Sequence, residues 1–344
     1  MKKVLERSAA WAMDAAMCGM MNAVQWRRRS DSSTRAHLDD YITKHSPMTR
    51  EEYFRMPPAT GPKFSSHRIE WESPLDSGHS ENDRVRVDFF PAARKDAPVV
   101  FLLHALMSAS DTGYRRAAEW FNRRGWHAAF PHLPYHYSRR PRRTLNGELA
   151  ITSDLVRNAQ GLRQGVVELR QLMALLRTRG TREFGLVGTS YGGWTGALLS
   201  FVESDFRFVA LVQPIVNVEK AIWDNPGART MRASLRALGH LPGATDRNAH
   251  LISPLDGVPL TDRIVVTGGL YDKVSPISDL ELLVSRWRGA ELIKVRQGHF
   301  GYLALRATLD HIAPMVGPTI APARSATKKR DKAKPTAPRS GARP

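Results

Sequence analysis

The string Gly188-Thr189-Ser190-Tyr191-Gly192 is the strongest chemical signal in the sequence. It directly follows an apolar strand-like run, Glu183 to Gly188, and directly precedes a helix containing Gly193, Gly196 and Ala197. A reactive serine at a strand-to-helix turn needs this setting: the turn is so tight that its flanking residues must be small, and the serine is pushed out above the strand ends. A serine hydroxyl is too weakly acidic to attack a carbonyl unaided, so it needs a base to take its proton and a group to fix that base's tautomer. Asp272 follows Val265-Val266-Thr267 through the turn Gly268-Gly269-Leu270-Tyr271, and His299 follows the next strand in Gly298-His299-Phe300-Gly301. The expected roles are Ser190 as nucleophile, His299 as general base and Asp272 as the acid that orients it. Glu219, after the preceding strand, is the alternative acid.

These residues require strands to end beside one another. Pro98 to His104 is a continuous apolar run, as a strand buried on both faces of a parallel sheet demands. His127 to Pro131, Phe206 to Gln213, Arg263 to Thr267 and Glu291 to Val295 read as further strands. Tyr114 to Arg124 and Glu148 to Arg179 read as helices between them, the second long or broken. Such strand-helix alternation implies a largely parallel sheet covered by helices. His67 to Glu72 and Arg84 to Phe90, with a Ser/Gly/Asn/Asp-rich turn between them, look like an opening β-hairpin.

The remaining segments differ in character. Residues 1–60 form an expected N-terminal helical extension in which Val4 to Val24 reads as one amphipathic helix interrupted by Asp14. It packs on the protein's own core or rests on a membrane surface. Residues 318–344 form a Pro/Ala/Lys/Arg-rich tail expected to be disordered, and it carries +7 of the formal charge of +18. That excess suits weak electrostatic contact with an anionic membrane or nucleic acid, and specifies neither fold nor chemistry. Cys18 is the only cysteine, so no intrachain disulfide can form. With no clear cleavage site and no long uninterrupted apolar run, a cytoplasmic protein is expected, free or peripheral at a membrane surface.

From about His67 to Met315 the chain resembles the α/β-hydrolase superfamily, through the Ser190 turn, the acid turn from Gly268 to Pro276, the Gly298-His299 pair and the turn after His104. The resemblance implies an α/β-hydrolase fold over residues 61–317: a mostly parallel eight-stranded sheet flanked by helices, with a helical cap insertion at about 216–259. It also implies no metal or organic cofactor, and usually hydrolysis of an ester, thioester or amide. In that family two backbone N–H groups form an oxyanion hole. They correspond here to Tyr191 and, after His104, to Leu106 or Met107; Ala105 stands where many relatives have glycine.

The cap contributes Trp223, Met231, Leu235, Leu238 and Leu241, which could line an acyl pocket. The run from Tyr135 to Arg143 concentrates aromatic and basic groups after a strand end, and Tyr135, Arg139 and Arg140 are candidates to receive an anionic head group. His132 and His136 lack a nearby acidic ligand, so no metal site is expected. The reading is a serine hydrolase acting on a small-molecule or lipid ester through an acyl-enzyme. The alternatives are an acyltransferase or peptidase on the same fold, or a catalytically silent binding protein.

Overall fold

A computed structural model describes residues 2–319 of the chain. Its strands are β1 (Thr60–Phe64), β2 (Arg68–Glu72), β3 (Arg84–Phe90), β4 (Val99–Leu103), β5 (His127–Pro131), β6 (Phe184–Thr189), β7 (Phe206–Val212), β8 (Ile264–Gly269) and β9 (Ala290–Val295). They form one sheet in the order β1-β2-β3-β5-β4-β6-β7-β8-β9. From β5 to β9 every neighbouring pair is parallel, and β1, β2 and β3 continue the sheet antiparallel. The sheet therefore has nine strands where eight are expected. The additional one, β1, reads Thr-Gly-Pro-Lys-Phe, and its Pro62 is tolerated because an edge strand need not donate from every N–H.

Helices α1 (Lys2–Trp26), α2 (Arg35–His45) and α3 (Arg50–Tyr53) precede the sheet. Helices α4 (Thr112–Asn122), α5 (Leu155–Thr178) and α6 (Tyr191–Ser200) connect its central strands. Between β7 and β8 lie α7 (Val218–Trp223), α8 (Arg229–Ala237) and α9 (Ala249–Ile252), while α10 (Ile277–Arg286) follows β8 and α11 (Leu303–Val316) follows β9. The long helix expected from Glu148 begins only at Leu155, where the Asp154 side chain accepts the Arg157 N–H and caps it.

Alternate residues of β4 enter two cores. Phe101 and Leu103 pack with Leu162 of α5, Leu198 of α6 and Leu280 of α10. Val100 and Leu102 pack with Phe121 of α4 and Ile312 of α11 on the opposite face. Both faces are thus covered, which explains why β4 is buried along its whole length. The N-terminal extension is part of this packing, since Leu38, Tyr41, Tyr53 and Phe54 belong to the first core. Among the described residues no helix is long and apolar enough to cross a membrane. Of the basic tail expected over 318–344, residues 320–344 lie outside the described residues.

Candidate active site

Ser190 occupies the single-residue turn between β6 and α6, with φ 52° and ψ −110°. A non-glycine residue pays for that conformation, and the surroundings enforce it. Ser190 N–H donates to Val212 O on β7, and Ser190 O accepts the Trp194 N–H that opens α6. No side chain fits two residues to either side of it: a Cβ on Gly192 would lie 2.4 Å from Leu103 O, and one on Gly188 would lie 2.5 Å from Gly192 O. The strain aims the hydroxyl at His299, whose Nε2 is 2.8 Å from Ser190 Oγ.

The other imidazole nitrogen, His299 Nδ1, is 2.8 Å from Asp272 Oδ2. Asp272 is fully buried at its side chain, yet each oxygen is satisfied. Oδ1 accepts the N–H groups of Val274 and Ser275, both at 2.8 Å, and Oδ2 also accepts Gln213 Nε2–H at 2.6 Å. These bonds leave Nδ1–H as the proton shared with Asp272 and Nε2 as the lone pair facing the serine. Burial pulls the pKa of His299 down, but the charge and hydrogen bond of Asp272, helped by Asp14, leave it above the ordinary histidine value. Glu219, the alternative acid, instead accepts the Gly243 N–H at 2.7 Å within the segment between β7 and β8.

Two buried histidines shape the loop after β4. His104 Nε2 accepts the Leu133 N–H at 3.0 Å, and its Nδ1 lies 3.0 Å from Ala105 O. His136 Nδ1 lies 2.8 Å from Pro134 O, and its Nε2 accepts the Met107 N–H at 3.2 Å. Both rings are thereby fixed as neutral tautomers. Burial holds the pKa of His136 down at about 4, and burial with the neighbouring His136 holds that of His104 well below its usual range. Ala105 N–H is taken by Tyr114 Oη at 2.9 Å. Met107 and Ala105 are therefore both committed, whereas the N–H groups of Leu106 and Tyr191 make no hydrogen bond among the described residues. Tyr191 also begins α6, whose N-terminus favours negative charge.

Ser190, Tyr191, Leu106 and His299 open onto one cavity of about 120 Å³. Its remaining wall is mainly apolar, with Ile151, Trp194, Ile215 and Met231 prominent, and it contains no Asp, Glu, Lys or Arg. The four expected substrate contacts are all elsewhere. Arg139 is 1% exposed and forms a bidentate pair with Glu168 of α5 at 2.5 and 2.7 Å, while also donating to Asn82 O and His132 O. Tyr135 is buried, with its N–H on Asn82 Oδ1 at 2.7 Å. Arg140 is exposed outside the cavity, and Trp223 packs half-buried against the core beside Arg236. These four residues bring no cation to this cavity, because the guanidinium best placed by sequence is consumed by an internal carboxylate.

Three residues that motif spacing does not reveal also belong to the site. Gln213 follows β7 at the same end of the sheet, and Asp14 accepts the His299 N–H from α1. Met21, also on α1, lines the cavity. The interruption of an apolar helix by Asp14 was the available signal.

No family model and no curated protein matches the sequence. Solved structures do match in three dimensions. The α/β hydrolase GrgF from Penicillium sp. sh18 aligns at 13% identity and TM-score 0.51, covering 72% of this chain and 96% of that one. Acetyl xylan esterase 1 from Thermoanaerobacterium sp. JW/SL YS485 aligns at 15% identity and TM-score 0.51, covering 80% and 94%. Thermogutta terrifontis esterase 2, solved in a form phosphonylated by sarin, aligns at 15% and 0.51, covering 76% and 95%. The chain has the α/β-hydrolase fold.

Proposed function

We propose that this protein hydrolyses carboxylic esters through an acyl-enzyme on Ser190. The observation that carries the reading is the continuous hydrogen-bonded chain Ser190 Oγ to His299 Nε2 to Asp272 Oδ2, each step 2.8 Å. Ser190 Oγ bonds to the ester carbonyl carbon while its proton passes to His299 Nε2. Asp272 stays ionised and stabilises the imidazolium. The carbonyl oxygen becomes an oxyanion received by the N–H groups of Leu106 and Tyr191, and losing one such donor costs about 10²–10³ in rate. Collapse breaks the ester C–O bond, and the departing alcohol takes the proton from His299. Water then gives a proton to His299, attacks the acyl carbon and releases the acid, with the proton returning to Ser190.

The cavity wall narrows the substrate class. Binding a carboxylate or phosphate there would bury a charge without a cationic partner, which is costly. The wall therefore favours a neutral ester with a compact apolar acyl group.

The test is labelling with a fluorophosphonate probe, followed by turnover of a panel of neutral and anionic esters. Wild type should label and hydrolyse neutral short-chain esters, whereas Ser190→Ala and His299→Ala should do neither. A folded wild type that neither labels nor turns over any ester defeats the reading.

A further inference from the structure

Asp14 on helix α1 stands 285 positions before His299 in the chain yet contacts its loop directly. Asp14, midway along α1, is 2% exposed. His299 N–H is 2.9 Å from Asp14 Oδ1 and 3.0 Å from Oδ2, and Phe300 N–H is 3.3 Å from Oδ1. The approach depends on Gly298, where a Cβ would lie 2.5 Å from Asp14 Oδ1. The partners of this buried acid are thus the backbone of the loop that carries the candidate base. Hydrogen bonds to a charged acceptor are among the stronger ones a fold makes.

The rest of α1 is clamped so that this contact is held. Asn22 Nδ2 donates to Pro226 O and its Oδ1 accepts the Thr230 N–H, both at 2.9 Å. Gln25 Oε1 accepts the Met231 N–H at 3.3 Å, and in the turn just past the helix Arg28 Nε donates to Glu148 at 2.8 Å. One helix therefore ties together the His299 loop, the segment between β7 and β8, and the wall of the cavity.

We propose that Asp14 is a positioning residue for His299: its carboxylate fixes the loop bearing the imidazole and keeps a negative charge beside it, so the site is complete only with α1 docked. The groups facing the imidazole are Ser190, Asp272 from the loop after β8 and Asp14 from α1, with Cys18 one turn beyond Asp14. Burial and the two carboxylates push the Cys18 thiol up to about 11, so it contributes no charge near neutral pH. Asp14 itself is pushed up by burial and held down by its two N–H donors.

The inference rests on the reading of His299 as the base, and two readouts on the full chain separate the two claims. The first is the titration of the His299 imidazole by NMR, which needs no turnover. Asp14→Asn removes the charge but keeps an oxygen that can accept both N–H groups, and it should lower the pKa of His299. The second is kinetics. Asp14→Ala should reduce kcat by about 10²-fold with little change in KM, as misplacement of a reacting group does. Asp14→Asn should retain more of kcat, with the acid limb of the kcat/KM profile moved to lower pH. An unchanged His299 titration in Asp14→Asn overturns the proposal, as does wild-type kcat in a folded Asp14→Ala. If Asp14→Ala fails to fold, the Asn titration alone decides. If wild type hydrolyses no ester, the hydrolase reading fails while the titration still judges Asp14.

Discussion

Gln213 Nε2 donates to Asp272 Oδ2 at 2.6 Å, on the same oxygen that receives His299 Nδ1–H. The same amide also donates to Gly298 O at 2.7 Å, and Gln213 Oε1 accepts Gln297 Nε2–H at 2.7 Å. One buried side chain thus spans the ends of β7, β8 and β9 and links the acid to the loop of the base.

Replacing it by an apolar residue of similar size, Gln213→Leu, removes a donor from Asp272, strands the Gly298 carbonyl and leaves the Gln297 amide only its bonds to Gly301 O and the Ala304 N–H. A buried polar group left unpaired costs about 1–3 kcal/mol, so urea denaturation should show a loss in that range or above. Esterase kcat should fall about tenfold through misorientation of His299, with KM little changed. A variant with wild-type stability and kcat would remove Gln213 from the positioning machinery.

The pair between Arg139 and Glu168 supports a second prediction. Removing one partner of a buried ion pair leaves an uncompensated charge and costs about 3–5 kcal/mol. Arg139→Ala should therefore lower the melting temperature sharply, while Arg140→Gln, at an exposed position, should not. Neither change should raise KM for anionic esters selectively over neutral ones. A selective rise would return the basic run to the substrate site.

The same pair illustrates what a sequence yields and withholds. Ser190, Asp272 and His299 were legible because each stands just beyond a strand whose apolar run is unmistakable, and a parallel sheet brings such ends together. The central strands were legible for the same reason, since burial on both faces leaves no polar alternation to confuse them. β1 was not, because Gly61 and Pro62 read as a turn and only pairing with β2 makes the segment a strand. Arg139 was misplaced because its type and basic neighbours suggest a site for an anionic head group, whereas its partner Glu168 lies on the following helix. Asp14 was visible only as an interruption, since nothing local tells an acid on α1 that its partners are backbone amides beyond β9.

Buried neutral histidines give the fold a pH dependence of predictable sign. Burial lowers the pKa of His45, His104, His127 and His136 below the ordinary value. As pH falls through about 6.5 the unfolded chain gains these protons first, so stability is full above that value and is lost below it. For His136 the loss continues to its folded value of about 4. His299 acts oppositely: its raised pKa adds stability on the acid side, and that contribution disappears as pH rises through its folded value. With four histidines against one, the melting temperature should fall between pH 7 and pH 5. His136 alone contributes on the order of 2 kcal/mol over that interval, at about 1.4 kcal/mol per unit. A melting temperature that stays level or rises would contradict the assignment of these rings as neutral.

The last prediction concerns which acyl groups fit. Behind the cavity at Ser190 lies a second apolar cavity of about 60 Å³, lined among others by Leu155, Leu162, Val218 and Ile252. Ile151, Trp194, Ala221 and Met231 border both and form the partition. Trp194 is pinned by its Nε1–H on Ile252 O at 2.7 Å, whereas Met231, the longest apolar side chain of the partition, can be shortened without stranding a polar group. Met231→Ala should cost about 2–5 kcal/mol of stability, as buried truncations do, and open one space into the other. On the hydrolase reading the best substrate should then shift to longer acyl chains. Each methylene newly accommodated should be worth about tenfold or more in relative kcat/KM. Comparing kcat/KM for a series of straight-chain esters in wild type and Met231→Ala decides the matter. An unshifted optimum in a folded variant would mean that the acyl chain leaves the Ser190 cavity by another route.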